Sequence, residues 1–299
     1  MRETLTIECN GLLLHGTSHI GPTGGDTGVL FLNSGTQPRS SRGDLYVHLA
    51  DALAERGYKS FRVDLPGLGD SQGETPSGFI EFYKLVQEGT QAGCVVELVR
   101  ELRRRYLLSG VVLMGICGGA QTSVFAAGMD HGAGIAGLAL LDMPFFLYRD
   151  SSPPAQKNAG RTLGSRVRRG ASGLKAKLHD WVLEQKWEPV ATAVYNRLRR
   201  ITHRTKAGSL PPNTNLSLVQ TLRDLVGRGV PALMITAHPP VPEPPSFDYI
   251  GYVARRSGDV LKHVKIRGTT HSFVEGGGAE AVLEAVSEWL ATAAARGRS

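Results

Sequence analysis

The chain has 299 residues, 41% of them hydrophobic and 20% charged, the balance of a soluble globular protein of one or two domains. No apolar run approaches the about 18 residues that a membrane span needs, and residues 1–8, which carry acids, do not read as a signal peptide. Lysine and arginine outnumber aspartate and glutamate 34 to 27, a net +7, and three cysteines (Cys9, Cys94, Cys117) are too few for a disulfide framework, so a reducing cytoplasm is expected.

In chain order, residues 28–33 read as a buried strand and residues 45–56 as an amphipathic helix ended by Gly57. Residues 58–64 form a second strand. Residues 79–106 form one long helical stretch, weakened at Gly89 and Gly93. Residues 110–114 are a strand, 120–129 a helix and Ile135–Leu141 another strand. This alternation predicts an α/β protein with a mostly parallel sheet covered by helices on both faces. At Phe145 the rhythm breaks. Ser151-Ser-Pro-Pro154 and Pro211-Pro212 bracket arginine-rich helical segments, and the α/β pattern resumes with strands at 230–237 and Leu261–Arg267 and a helix at 279–295. The expected organisation is a core of residues 1–144 and 227–299 carrying a basic helical cap insertion, 145–226.

Charge is concentrated in that insertion. It holds 15 lysines and arginines against 5 acids, whereas the remainder holds 19 against 22. The asymmetry points to an anionic partner. No nucleic-acid motif accompanies it, and no stacking aromatics are interleaved with the basic residues.

The chemistry concentrates at Gly110-Val-Val-Leu-Met-Gly115-Ile-Cys117-Gly118-Gly119-Ala120, a strand running through G-x-C-x-G into a helix. This is the nucleophile-elbow pattern with cysteine in place of serine. A strained turn lifts the side chain above the sheet edge, glycines two residues to either side let strand and helix approach, and the helix N-terminus favours a thiolate. Such a nucleophile needs a base. His271, in Gly268-Thr-Thr-His271-Ser-Phe273, follows the last strand and precedes the last helix. The orienting acid stays open between Asp142, which ends Ile135–Leu141 at the edge that carries Cys117, and Asp248, with Glu243 behind them. No aspartate sits directly after the strand at 230–237, where the acid of such triads usually stands. The oxyanion hole needs two backbone donors: Gly118, after the nucleophile, and Thr36 in Ser34-Gly35-Thr36-Gln37.

Together with Asp64-Leu-Pro-Gly67-Leu-Gly69-Asp70-Ser71-Gln-Gly73, the elbow and the His271 loop resemble the α/β-hydrolases over residues 25–145 and 228–295. The N-terminal half, from Gly35-Thr-Gln-Pro-Arg39 to Phe61-Arg-Val-Asp64, resembles the exosortase-A-system-associated hydrolases, which carry a similar cysteine elbow. Dienelactone hydrolases and polyhydroxyalkanoate synthases are similar at the Gly-x-Cys-x-Gly elbow alone. The resemblance implies an α/β-hydrolase fold, with Asp64, Gly67 and Gly69 as a structural turn.

The expected function is hydrolysis of an ester or thioester through an acyl-enzyme on Cys117, with no metal or organic cofactor. Coenzyme A or an acyl carrier protein would suit the basic insertion as the acyl donor; solvated basic helices are the alternative. Neither a nucleic acid nor a membrane is expected as a partner. An acyltransferase or cyclase of secondary metabolism, passing the acyl group to an amine, alcohol or thiol, would use the same residues. A non-catalytic ligand-binding protein is the third reading.

Overall fold

The computed structural model describes residues 1–23, 25–147, 210–238, 247–255 and 258–296. Two compact units divide the chain. The first comprises Met1–Tyr148, Thr214–Glu243 and Asp248–Ser299. The second, Arg149–Asn213 with Pro244–Phe247, lies almost wholly outside the described residues, and with it most of the predicted cap.

The first unit is built on one eight-stranded sheet: β1 (Arg2–Cys9), β2 (Leu12–His19), β3 (Thr27–Leu32), β4 (Lys59–Val63), β5 (Gly110–Ile116), β6 (Ile135–Leu141), β7 (Ala232–His238) and β8 (Leu261–Arg267). The order is β1-β2-β4-β3-β5-β6-β7-β8, antiparallel from β1 to β4 and parallel beyond. The helices are α1 (Leu45–Glu55), α2 (Phe79–Gln87), α3 (Ala92–Tyr106), α4 (Gly118–Gly128), α5 (Leu216–Gly227), α6 (Tyr249–Ala254) and α7 (Gly278–Arg296). Among the described residues no helix is long and apolar enough to cross a membrane.

β5 is buried along its whole length, and α4 is buried from Gly118 to Ala127, so the strand–turn–helix unit at residues 110–128 is the centre of the core. A helix with no solvent face must be covered all round; α2, α3 and α5 pack on it. α5 turns Leu218, Leu222, Leu225 and Val226 inward. It begins at Asn215, whose side chain accepts from the Leu218 N–H at 3.1 Å. The insertion expected from the sequence runs to residue 226; residues 214–226 group with the first unit, and α5 packs on α4.

Two further features differ from the sequence reading. The long helix at 79–106 is two helices, α2 and α3. They separate at Gly89, which has φ +72°, and a Cβ there would lie 2.8 Å from the Phe125 ring. An N-terminal hairpin, unread in the sequence, pairs β1 with β2 around Asn10-Gly11, both with positive φ (52° and 79°), as a two-residue turn that follows strand twist requires.

Candidate active site

Strand register builds the site. Ile116 pairs with Leu141, Leu141 with Ile235, and His238 with Arg267, so the carboxyl ends of β5 to β8 are aligned. The ladder then continues one residue further. The Cys117 N–H donates to the Leu141 carbonyl (3.0 Å), that of Asp142 to Ile235 (2.7 Å) and that of Gly268 to His238 (2.9 Å). Cys117, Asp142 and the loop carrying His271 thus emerge along one edge, where open α/β sheets place their ligands.

Cys117 has φ 55° and ψ −112°, a conformation costing on the order of 1–3 kcal/mol in a residue with a side chain. Its neighbours hold it there. A Cβ at Gly115 would lie 2.3 Å from the Gly119 carbonyl carbon, and one at Gly119 would lie 2.6 Å from the Leu32 oxygen. Strand and helix cross too closely for any other residue at either position. The wholly buried Tyr46 hydroxyl accepts from the Ile116 N–H at 2.8 Å, bracing the residue before the turn.

Around the Cys117 sulfur the structure gathers His271, Asp142 and Tyr83. Cys117 and His271 lie close enough for each side chain to favour the charged form of the other. Nδ1 of His271 donates to Asp142 Oδ2 at 2.6 Å, and the Tyr83 hydroxyl lies 3.4 Å from Sγ. Burial pushes the thiol up and the imidazole down. The mutual attraction of thiolate and imidazolium outweighs it, aided at the sulfur by Tyr83 and at the ring by Asp142. Cys117 is therefore held below the ordinary thiol value, and His271 well above the ordinary imidazole value.

The histidine loop is tied locally. Glu275 accepts from the hydroxyls of Thr270 (2.7 Å) and Ser272 (3.3 Å), while Phe273, with φ 56°, anchors the loop in the core. Asp248 is occupied elsewhere: it caps α6, accepting from the Gly251 N–H at 2.8 Å. It is not brought to His271. Glu243 falls outside the described residues.

Gly118 opens α4, so its N–H is one of the donors that a helix leaves unsatisfied. A Cβ on Gly118 would lie 3.5 Å from the Gly35 nitrogen, which brings the loop at 34–37 to the elbow. Thr36 is exposed at its tip. Among the described residues, no backbone hydrogen bond outside helices and strands uses the Thr36 N–H. Asn33 and Asp64 fix the loop. The Asn33 amide donates to the Gln37 carbonyl (2.9 Å) and to Asp64 (2.8 Å), and Asp64 also accepts from the Arg39 N–H (2.6 Å) and guanidinium.

Tyr83 escaped the sequence reading. It follows Phe82 in a helix of core aromatics, and nothing in that pattern distinguishes a ring that packs from one that also aims its hydroxyl at a sulfur. Among the described residues no group of three or more His, Cys, Asp or Glu side chains is arranged to hold a metal. A surface cavity of about 390 Å³, bordered by Pro231, Leu261 and Trp289, lies at the amino ends of β7 and β8, away from Cys117.

Several solved structures are similar over nearly the whole chain. DcsB in complex with its substrate analogue is 14% identical with a TM-score of 0.59, covering 97% of this chain and 99% of its own. The haloalkane dehalogenase DatA from Agrobacterium tumefaciens C58 is 14% identical (TM-score 0.60, 98% and 97% covered). The enol-lactonase from Burkholderia xenovorans LB400 is 18% identical (TM-score 0.56, 96% and 100% covered). No protein-family model matches the chain, and no curated protein matches it. The fold is the α/β-hydrolase fold, as the sequence leads one to expect.

Proposed function

We propose that this protein hydrolyses an ester or thioester through an acyl-enzyme on Cys117. The observation that carries the reading is the meeting of Cys117, His271 and Asp142 at the carboxyl edge of the sheet, with His271 Nδ1 on Asp142 Oδ2 at 2.6 Å. The thiolate attacks the acyl carbon, a C–S bond forms, and the carbonyl π pair moves onto oxygen. The N–H groups of Gly118 and Thr36 receive that charge. When the oxyanion collapses, the bond to the leaving group breaks, and His271 gives it the proton. A water molecule, deprotonated by the same imidazole, then attacks the thioester and releases the acid with Cys117 restored. Asp142 keeps the ring in one tautomer throughout.

The three cysteines, too few for a disulfide framework, support a reducing, cytoplasmic setting. The residues from Gly35 to Asp64 support a place among the exosortase-A-system-associated hydrolases. An acyl group delivered on coenzyme A or an acidic carrier protein rests on the charge of residues 145–226 alone. Alanine at Arg166, Arg168 and Arg169 should then slow carrier-bound substrates more than simple esters.

Intact-mass measurement after mixing with p-nitrophenyl acetate tests the central claim. An acetyl adduct is expected on the wild type and absent from Cys117→Ala. With His271→Ala it should form far more slowly. No adduct on the wild type, or an adduct that survives Cys117→Ala, overturns the reading in favour of a binding protein or another nucleophile.

A further inference from the structure

We propose that the Tyr83 hydroxyl is a third hydrogen-bond donor at the reacting centre, given first to the Cys117 thiolate and then to the acyl oxyanion. The inference rests on the acyl-enzyme reading and extends it to a residue on a separate helix.

Two independent contacts place the hydroxyl. It lies 3.4 Å from Cys117 Sγ, within reach of a hydrogen bond to sulfur. It also occupies the space beside the loop that carries Thr36: a Cβ at Gly35 would fall 2.6 Å from it, and the φ of +61° there favours glycine. Gly118 abuts the same loop residue, with its Cβ position 3.5 Å from Gly35 Cα and nitrogen. The Tyr83 hydroxyl, Gly35 and Gly118 therefore adjoin one another next to the sulfur. An oxygen on a carbon bonded to Sγ lies one bond angle from that sulfur, and a donor to it must sit about 3 Å away.

The ring is held so that the hydroxyl has little freedom to leave. Tyr83 is buried, tilted against Phe79 at a centroid separation of 4.5 Å and edge-on to Phe82 at 5.7 Å. A preorganised donor in a dry site acts without reorganising when charge develops.

The charge balance is simple. In the resting enzyme the negative charge is on sulfur and the phenol donates to it. As the C–S bond forms, the sulfur lone pair becomes the bond, and the π pair of the carbonyl becomes the charge on oxygen. The sulfur no longer accepts strongly, and the oxygen does. Tyr83 keeps its own proton throughout and changes only its acceptor, whereas His271 alone exchanges protons with the leaving group and water.

Tyr83→Phe keeps the ring and removes the donor. Pre-steady-state acylation by p-nitrophenyl acetate should fall about 10- to 100-fold, with an unchanged thermal midpoint. Alkylation by iodoacetamide forms no oxyanion, so it reports the thiolate alone; its pH midpoint should rise by about one unit. Acylation at the wild-type rate, or an unmoved alkylation midpoint, overturns the proposal. Should Tyr83→Phe fail to fold, 3,5-difluorotyrosine installed at position 83 keeps the packing and makes the phenol more acidic. Acylation should then be lost on the alkaline side, where the wild type retains it; a wild-type pH profile overturns the proposal. The Cys117→Ala arm separates the two claims. An adduct that persists without Cys117 defeats the acyl-enzyme reading, whereas a normal Cys117 adduct formed at normal rate by Tyr83→Phe defeats this one alone.

Discussion

Asp142 and His271 are 129 residues apart in the chain, yet their side chains meet at 2.6 Å. Asp142 follows the end of β6, beside the strand that leads into Cys117, and His271 lies in the loop after β8. Asp142 is mostly buried, with 13% of its side chain exposed, whereas 41% of the His271 side chain is exposed. A buried carboxylate behind a more open ring suits a group that orients the base without trading protons itself.

Replacing Asp142 by Asn should therefore lower kcat roughly 10²-fold, since the amide can hold the ring in the wrong tautomer. Asp248→Ala should leave turnover of p-nitrophenyl acetate within error while costing about 1 kcal/mol of stability through the lost cap of α6. Steady-state kinetics and urea unfolding of the two variants, side by side, distinguish acid from cap.

Iodoacetamide should modify Cys117 rapidly at neutral pH. The sulfur is held below the ordinary thiol value, so the reactive thiolate persists below that value and is lost only as pH falls through the lowered one. In His271→Ala the cation is gone, only the Tyr83 hydroxyl still opposes burial, and the midpoint should move up to or beyond about 8.5. Burial raises both Cys9 and Cys94, so neither should compete for reagent at neutral pH. Peptide mapping across a pH series reads all three sites at once.

Gly119→Ala should be among the most damaging single substitutions in the core. The added methyl would meet two backbone oxygens, those of Leu32 at 2.6 Å and Asn33 at 2.7 Å, which have no rotamer to escape into. A loss of about 1–3 kcal/mol or more is expected, read as a lower thermal midpoint, together with loss of acylation because Asn33 also fixes the loop of Thr36.

The protein should lose stability between neutral and mildly acidic pH through His19. This buried imidazole donates from Nδ1 to Asp51 at 2.7 Å and accepts from Arg62 Nε at Nε2 at 2.9 Å, an arrangement only the neutral ring allows. Burial holds it below its ordinary value of 6.5, against the pull of Asp51. The unfolded chain takes up the proton first, so the stabilisation present above about 6.5 fades as pH falls toward the lower folded value. Urea midpoints should drop from pH 7.5 to 5.5, and His19→Gln should flatten that dependence.

Much of the active-edge geometry was legible because glycine and cysteine spacing encodes a local shape. Gly115, Cys117 and Gly119 specify a turn by what cannot fit there, and the strands to either side announce themselves by apolar runs. The choice between Asp142 and Asp248 was not legible in the same way. It depends on the pairing of Leu141 with Ile235, a relation between segments that periodicity does not carry. Tyr83 was hidden for a related reason: a helix of aromatic residues states that rings are buried, not where a hydroxyl points. The β1–β2 hairpin did leave a signal, Asn10-Gly11 between alternating residues such as Leu5, Ile7 and Cys9, and there the reading stopped at the question of a leader peptide.

A backbone bridge joins Phe146 to Thr214. The polypeptide departs from the sheet and comes home at a single stitched seam, reinforced by the Asn215 N–H on the Phe145 carbonyl at 2.8 Å. Whatever is spliced between those two points adds no distance that β6 and β7 must span. A change of length between residues 147 and 213 should thus leave Cys117, Asp142 and His271 where they stand.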